Sequence, residues 1–474
     1  MKKIDFENGT ITDNILSASI PMLVAQLLNL LYNVVDRIYI ARIPHIGTTA
    51  IGAVGICFPV IVIITAFANL FGSGGTPLFS IYRGRKKNKE AALIMDTSFS
   101  MLCAGAFILM SCGMLFSKPI LMLFGASDST IVYAYPYMMI YLIGTIPSNA
   151  LTYARPYIVI YLLGTLPAMV STGMNPFINA QGYSTTGMIS VAIGAVLNFI
   201  LDPLFIFVFG LGVKGAAVAT VISQCFSAMF TIYFLTHKSE LKMRFLKKNE
   251  LAECAGYAKN IISLGTAGFI MQVTNSLVTI CCNNVLAVTG GDIYISVMTI
   301  VSSVRQLVDT PIHAINEGSS PVISYNYGAG KPTRIRKAIA VLSIMTLAYT
   351  VVMWSIIIFA PGALISIFSS DSSLLSDAIV ALKQYFAAFI FMDLQYIGQT
   401  VFKSLNKKKH AIFFSLLRKV IIVVPLTYIM PYTFNMGTAG VFLAEPVSNV
   451  IGGSICFITM LCTVLPELKR MAEV

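Results

Sequence analysis

The stretch QLLNLLYNVVD, residues 26–36, decides how this chain is read, because it sets polar groups into an otherwise continuous apolar helix. Gln26, Asn29, Asn33 and Asp36 are spaced three, four and three apart, which lays them along one helical face. Tyr32 sits one turn below the carboxylate. A charge near the middle of a lipid-embedded helix costs about 2.5–3.5 kcal/mol on insertion scales, so such residues face a bundle interior or a water-filled path. Asp36 is therefore read as functional. For Gln26 and Asn29 an equal reading is hydrogen bonding to a neighbouring helix.

Working outward, the 474 residues are 57% hydrophobic and only 11% charged, with a mean hydropathy of +0.81. That composition excludes a soluble globular domain and predicts a polytopic membrane protein in which the bilayer is the main partner. The opening residues MKKIDFENGTITDN mix both charge signs and lack a small-residue cleavage pattern, which predicts a short tail rather than a removed signal. Nine cysteines are scattered without C-x-x-C or His spacing, and read as small buried hydrophobes rather than metal ligands. No metal site and no cofactor are expected.

Segments long enough to span are read at 15–40, 50–82, 91–117, 156–179, 187–210, 214–236, 258–288, 291–327, 336–360, 376–402, 411–432 and 438–464. Twelve spans leave the stretch 131–150 over. Of the 32 Lys and Arg, 25 fall in the termini and in alternate loops: 83–89, 238–259, 331–337 and 403–419. The positive-inside rule then places these loops and both termini in the cytoplasm. The net charge of +12 is a topology signal rather than a nucleic-acid footprint.

Two repeats organise the chain. YAYPYMMIYLIGTIP at 133–147 recurs as YARPYIVIYLLGTLP at 153–167, an offset of 20. Two crossings here would put every later basic cluster outside, so the first copy, within 131–150, is expected to be an interfacial, re-entrant or helix-extending insertion on the outer side and the second to begin helix four. The longer repeat matches Gly74, Pro77, Ser80 and Gly84 to Gly318, Pro321, Ser324 and Gly328 at an offset of 244, and Gly212 and Gly215 to Gly437 and Gly440 at 225. The expected fold is an all-α polytopic membrane protein of twelve transmembrane helices in two parallel six-helix bundles. The bundles are 1–237 and 258–474, joined by a cytoplasmic linker at 238–257. Matching Gln26 to Gln272 and Asn29 to Asn275 sets Cys282 opposite Asp36, so the carboxylate belongs to the first half alone.

The second informative stretch runs from Gly194 to Gln224. Asn198 and Asp202 are four apart on one face, and Pro203 frees a carbonyl beside the acid. Thr220 lies two turns into the next helix. By chain direction Asp36, Asp202 and Thr220 all fall in the outer half of the membrane, which predicts a shared site; local capping around the proline is the alternative for Asp202.

With YNVVDRIYIARI at 32–43, NPFINAQG at 175–182, GAVLNFILDPLFIF at 194–207 and the twin Gly-x-x-Pro elements at 74–77 and 318–321, the chain resembles the multidrug and toxic compound extrusion (MATE) family in its bacterial drug-exporting branch. The resemblance spans the chain apart from the 20-residue insertion. It implies a cation-coupled antiporter in the bacterial cytoplasmic membrane, not an enzyme, with a first-half cavity containing Tyr32, Asp36, Asn198, Asp202 and Thr220. Asn175 is a further carry-over. The family's acid on helix seven has no counterpart, since 258–288 contains no Asp or Glu.

The cation-coupling residues are thus expected to be Asp36 and Asp202, within a network of Tyr32, Gln26, Asn33, Asn175, Asn198 and Thr220. In the second half Arg305 with Asp309, and His313 with Glu317, are spaced for local pairs. Glu317 and Asp393 are candidates for a second site, and Glu445 precedes Pro446. GAGKPT at 328–333 is not a phosphate loop, because Tyr325 and Pro332 stand where glycine and Ser or Thr are required.

The expected activity is export of amphipathic, often cationic, substrates by a monomer, driven by H+ with Na+ as the other option. The rivals are a flippase for a lipid-linked sugar, which would favour a cationic cavity, and a membrane-embedded transferase, which would need acidic metal-binding loops where this chain has basic ones. A channel would not exchange against a gradient.

Overall fold

A computed structural model describes residues 3–44, 47–123, 128–143, 164–366 and 372–473, and every regular element among them is helical. In chain order these are α1 (Ile11–Ala41), α2 (Gly47–Gly84), α3 (Asn88–Leu123), α4 (Asp128–Ile143), α5 (Thr165–Ala180), α6 (Ser184–Pro203) and α7 (Val213–Tyr233). Then follow α8 (Leu251–Thr289), α9 (Gly291–Gly328), α10 (Pro332–Phe359), the short α11 (Pro361–Ile365), α12 (Ser372–Tyr385), α13 (Phe389–Ser404), α14 (Lys408–Leu416), α15 (Val424–Tyr432), α16 (Gly437–Ser448) and α17 (Ser454–Glu473). Wider π turns continue four of these helices, at Leu204–Val208, Phe234–Lys238, Leu417–Val423 and Asn449–Gly453.

Among the described residues nine helices are long and apolar enough to cross a membrane, or ten if α12 and α13, bent by 48° at their break, form one span. The twelve spans expected from hydropathy are not established. Helix α9 carries Arg305, Asp309, His313 and Glu317 along its 38 residues, and of the segment expected at 156–179 only the part from residue 164 is described, with α5 of 16 residues.

The chain divides into two compact units. The first holds Met1–Lys3, Val24–Phe79 and Lys87–Gly265; the second holds Ile4–Leu23, Ser80–Lys86 and Thr266–Val474. In the first, α6 packs on α7, α5 on α7 and α3, and α4 on α7 and α3. Ser190 Oγ on α6 lies 2.7 Å from Thr231 Oγ1 on α7, so hydroxyls tie these two helices together. Gly74 approaches the backbone of α8 so closely that a Cβ there would lie 2.5 Å from the Ile261 carbonyl.

The second unit contains the repeat-related contact, Gly318 against Ser19, where a Cβ would lie 2.8 Å from the Ser19 backbone nitrogen. There Gly84 abuts the Tyr325 carbonyl and Gly328 abuts the Ile81 carbonyl, a reciprocal pair whose members are each 244 apart. The repeated glycines are thus the points where backbones touch.

The start of the chain is anchored in this second unit. Thr10 accepts a hydrogen bond from the Asp13 backbone nitrogen at 3.3 Å, a cap that begins α1. Phe6, Ile11 and Ile15 join an apolar cluster with Val322, Ile323 and Leu342. The Arg334 guanidinium donates to the carbonyls of Phe6 and Gly9 at 3.1 and 2.7 Å, and Glu7 pairs with Lys86.

Residues 131–143, the described part of 131–150, belong to α4: Tyr137, Ile140 and Leu142 are buried, and α4 packs on α3 and α7. Thr165 Oγ1 donates to the Leu142 carbonyl at 2.8 Å, so the start of α5 meets the end of α4; residues 144–163, which hold the rest of the two copies up to Leu163, lie outside the described residues.

Arg418 and Lys419, counted with a cytoplasmic loop, are 2% exposed within the π segment that follows α14. Of the cysteines, Cys57, Cys254, Cys281, Cys282 and Cys456 are buried as expected, whereas Cys112 and Cys462 are exposed.

Candidate functional site

In the first unit the short connection between α6 and α7 sets the geometry. Gly210 and Gly212 adopt φ of 64° and 55°, backbone conformations that glycine takes without a Cβ penalty. The chain reverses within a few residues, and Gly215 packs against the Phe205 carbonyl, where a Cβ would stand at 2.6 Å. Thr220, two turns into α7, consequently comes to face Asn198 and Asp202 on α6.

Asn198 Nδ2 donates to Asp202 Oδ1 at 3.2 Å and to Thr220 Oγ1 at 3.3 Å. Asn198, Asp202 and Thr220 are all 3% exposed or less, and Asp36 is 8% exposed. The Asp36 carboxyl reaches across from α1 to become a direct neighbour of the Asp202 carboxyl. Asp36 Oδ1 and Asp202 Oδ2 have no hydrogen-bond partner among the described residues. The Tyr32 hydroxyl is turned toward Thr220 and lies near both acids.

Two buried carboxyls so placed repel when both are ionised, and a single proton between them converts repulsion into a hydrogen bond. Chemically, the arrangement can hold a proton or a small cation.

Two members of this site escaped the sequence reading. Tyr137 on α4 is 3% exposed and neighbours Asp36 and Tyr32. Tyr141, one turn on, accepts a hydrogen bond from Gln224 Nε2 at 3.5 Å. Their spacing of four on one helical face was the available signal, but it lay in the stretch assigned to an insertion.

The remaining predicted residues are placed elsewhere. Gln26 is half-buried on α1, and Asn33 is exposed and donates back to its own helix, to the Asn29 carbonyl at 2.7 Å. Asn175 Nδ2 donates to the Gly187 carbonyl at 2.8 Å and Asn175 Oδ1 accepts from Asn179, a tie between α5 and α6.

In the second unit Glu317 is exposed on α9 and faces Lys403. Asp393 is fully buried on α13 beside Thr346. The His313 ring packs on Tyr396 with centroids 4.8 Å apart. Arg305 does pair with Asp309, Nε to Oδ2 at 3.2 Å, and adds a second ion pair to Glu445 at 2.8 Å.

Comparison with known proteins adds relatives to this geometry. A family model described as MatE matches residues 21–151 and 250–429. The multidrug export protein MepA of Staphylococcus haemolyticus is 24% identical over 432 residues, with 91% of this chain and 89% of the relative covered. MepA of Staphylococcus aureus strain N315 is 25% identical over 457 residues, covering 95% and 93%. Among solved structures, an outward-facing multidrug resistance MATE transporter of the MOP superfamily superposes with a TM-score of 0.86 at 20% identity over 99% of both chains. A MATE crystal structure in a bent conformation superposes with 0.87 at 20% identity over the whole of both chains. At that identity the likeness concerns the fold.

Proposed function

This multi-pass membrane chain belongs to the MATE family of transporters, is not an enzyme and is a homologue of multidrug exporters, and from that premise we propose that it is a proton-coupled antiporter that exports amphipathic, often cationic, compounds by alternating access. The observation that carries the reading is the buried carboxyl pair, Asp36 with Asp202, set among Tyr32, Tyr137, Asn198 and Thr220. An acid pair inside an apolar bundle attracts a cationic substrate when ionised and releases it when a proton arrives, because the two compete for one charge.

In this reading Asp36 and Asp202 couple the cation, and Asn198 and Thr220 hold Asp202 in place through hydrogen bonds to its neighbourhood. Tyr137 and Tyr141 supply aromatic surface for the apolar part of the substrate. Both termini and the basic loops face the cytoplasm, the two halves of the chain act as six-helix bundles, and the unit of transport is the monomer. Sodium is the alternative coupling ion.

The test is export from proteoliposomes under an imposed proton gradient, with Asp36→Asn beside the parent. Gradient-driven export should fall at least tenfold in the variant while substrate binding persists. Undiminished proton-driven export would remove Asp36 from the mechanism, and export that follows a sodium gradient alone would replace the coupling ion.

A further inference from the structure

The second unit holds a buried cluster that the exporter reading does not use. Three cations converge on one oxygen of one carboxylate: Glu445 Oε1 lies 2.8 Å from Arg305 Nη1, 2.9 Å from Arg418 Nη1 and 2.8 Å from Lys419 Nζ. Arg418, Lys419 and Glu445 are all 3% exposed or less. Lys419 donates to Glu445. Arg418 spends Nη1 on Glu445 and on Asn449 Oδ1 at 2.6 Å, while its buried Nε has no partner among the described residues. Arg305 also donates from Nη1 to the Tyr385 hydroxyl, and its Nη2 faces the Met392 sulfur at 3.4 Å.

Among the described residues the carboxylates paired with the three basic side chains are Glu445 and Asp309. Three basic groups against two acids inside a bundle mark a place that a further anion would stabilise. Two π segments carry the cluster: Arg418 and Lys419 lie in Leu417–Val423, and Asn449 opens Asn449–Gly453. Such widened turns concentrate at functional sites because they re-aim side chains and loosen the backbone ladder.

The internal repeat independently points to the same place. At the offset of 225, Asp202 matches Thr427, Thr220 matches Glu445, Ser223 matches Ser448 and Gln224 matches Asn449, and at 246 Asp36 matches Cys282. Cys282 Sγ lies 4.0 Å from Thr427 Oγ1, so the counterparts of the two acids also meet, and Cys282 neighbours Glu445 and Lys419. The second half therefore keeps the geometry of the acid site and reverses its charge.

We propose that Arg305, Arg418 and Lys419, closed by Glu445, form an anion site that takes the carboxylate of an amphipathic substrate. This extends the exporter reading, on which it rests for the existence of a substrate. Guanidinium groups suit the task because their planar fork matches carboxylate geometry, and Glu445 is the resident carboxylate beside which the substrate group docks.

The experiment titrates the detergent-purified full chain with rhodamine B, a xanthene dye with a free carboxylate, and with its ethyl ester, following fluorescence anisotropy. The parent should bind the acid at least fivefold more tightly than the ester. Lys419→Met should weaken the acid about tenfold and leave the ester within twofold. Equal binding of both dyes, or equal weakening of both, overturns this inference and leaves the exporter reading standing; binding of neither overturns both.

A measurement of opposite sign guards against a folding defect. In Glu445→Gln, benzoate should raise the melting temperature at least twice as far as it does in the parent, and an equal rise in the two proteins overturns the proposal.

Discussion

Replacement of Glu445 by Gln removes the single negative charge that Arg305, Arg418 and Lys419 share. The side chain is 4% exposed and its Oε1 accepts all three contacts within 2.9 Å. Glutamine keeps the shape and one carbonyl oxygen, so the change isolates charge. Breaking a buried ion pair by removing one partner costs about 3–5 kcal/mol, because the other charge is left buried and uncompensated. Here three cations lose their counter-charge, which places the loss at the upper end.

The surface exchange energies of ordinary salt bridges, about 0–1 kcal/mol, are irrelevant to a group so shielded. At roughly 2–4 °C per kcal/mol for a cooperative unit of 150–250 residues, the second unit should melt about 10 °C or more below the parent. Added salt should rescue little, since buried pairs are weakly screened. Thermal denaturation of the purified protein in detergent measures this, together with the double variant Glu445→Gln/Lys419→Met. Removing one surplus cation should restore part of the loss. A single variant that melts within about 2 °C of the parent, or a double variant less stable than the single, would refute the charge argument.

Other outcomes follow from the remaining geometry. Gly328→Ala should destabilise by at least ~1–3 kcal/mol, because its Cβ would stand 1.9 Å from the Ile81 carbonyl oxygen, and melting curves of Gly84→Ala should show a comparable loss.

The Glu7 carboxyl is held below its ordinary value of 4.5 by its hydrogen bond to Lys86. A depressed acid contributes stability above its ordinary value and loses it as the pH falls through the folded value. Limited proteolysis should therefore find the segment before Thr10 protected at neutral pH and increasingly cleaved below about pH 4.5, with Glu7→Gln cleaved faster at neutral pH.

Hydropathy and charge spacing carried the class of the molecule and the centre of its first site. Asp36 and Asp202 were legible because a carboxylate in a span of leucine and valine has no inexpensive explanation. The i,i+4 step from Asn198 to Asp202 gave their common face. The same reasoning misplaced Arg418 and Lys419, since a dibasic pair at the end of an apolar segment reads as a loop until its neighbours are seen. Asn33 shares the face pattern of Asp36, yet its amide satisfies itself on the Asn29 carbonyl. Periodicity names a face, and local hydrogen bonding then decides whether a side chain uses it.

By itself the sequence determined an all-helical membrane protein with a repeat at offsets of 244 and 225 and an acid pair in the first half. Those features rest on burial cost and spacing, which are local properties of the chain. The tertiary structure alone decided that Tyr137 joins the acids, that the start of α5 meets the end of α4, and that three cations converge on Glu445 Oε1. Each of these depends on which groups meet across helices distant in sequence, and pairing of that kind is fixed by packing rather than by any pattern along the chain.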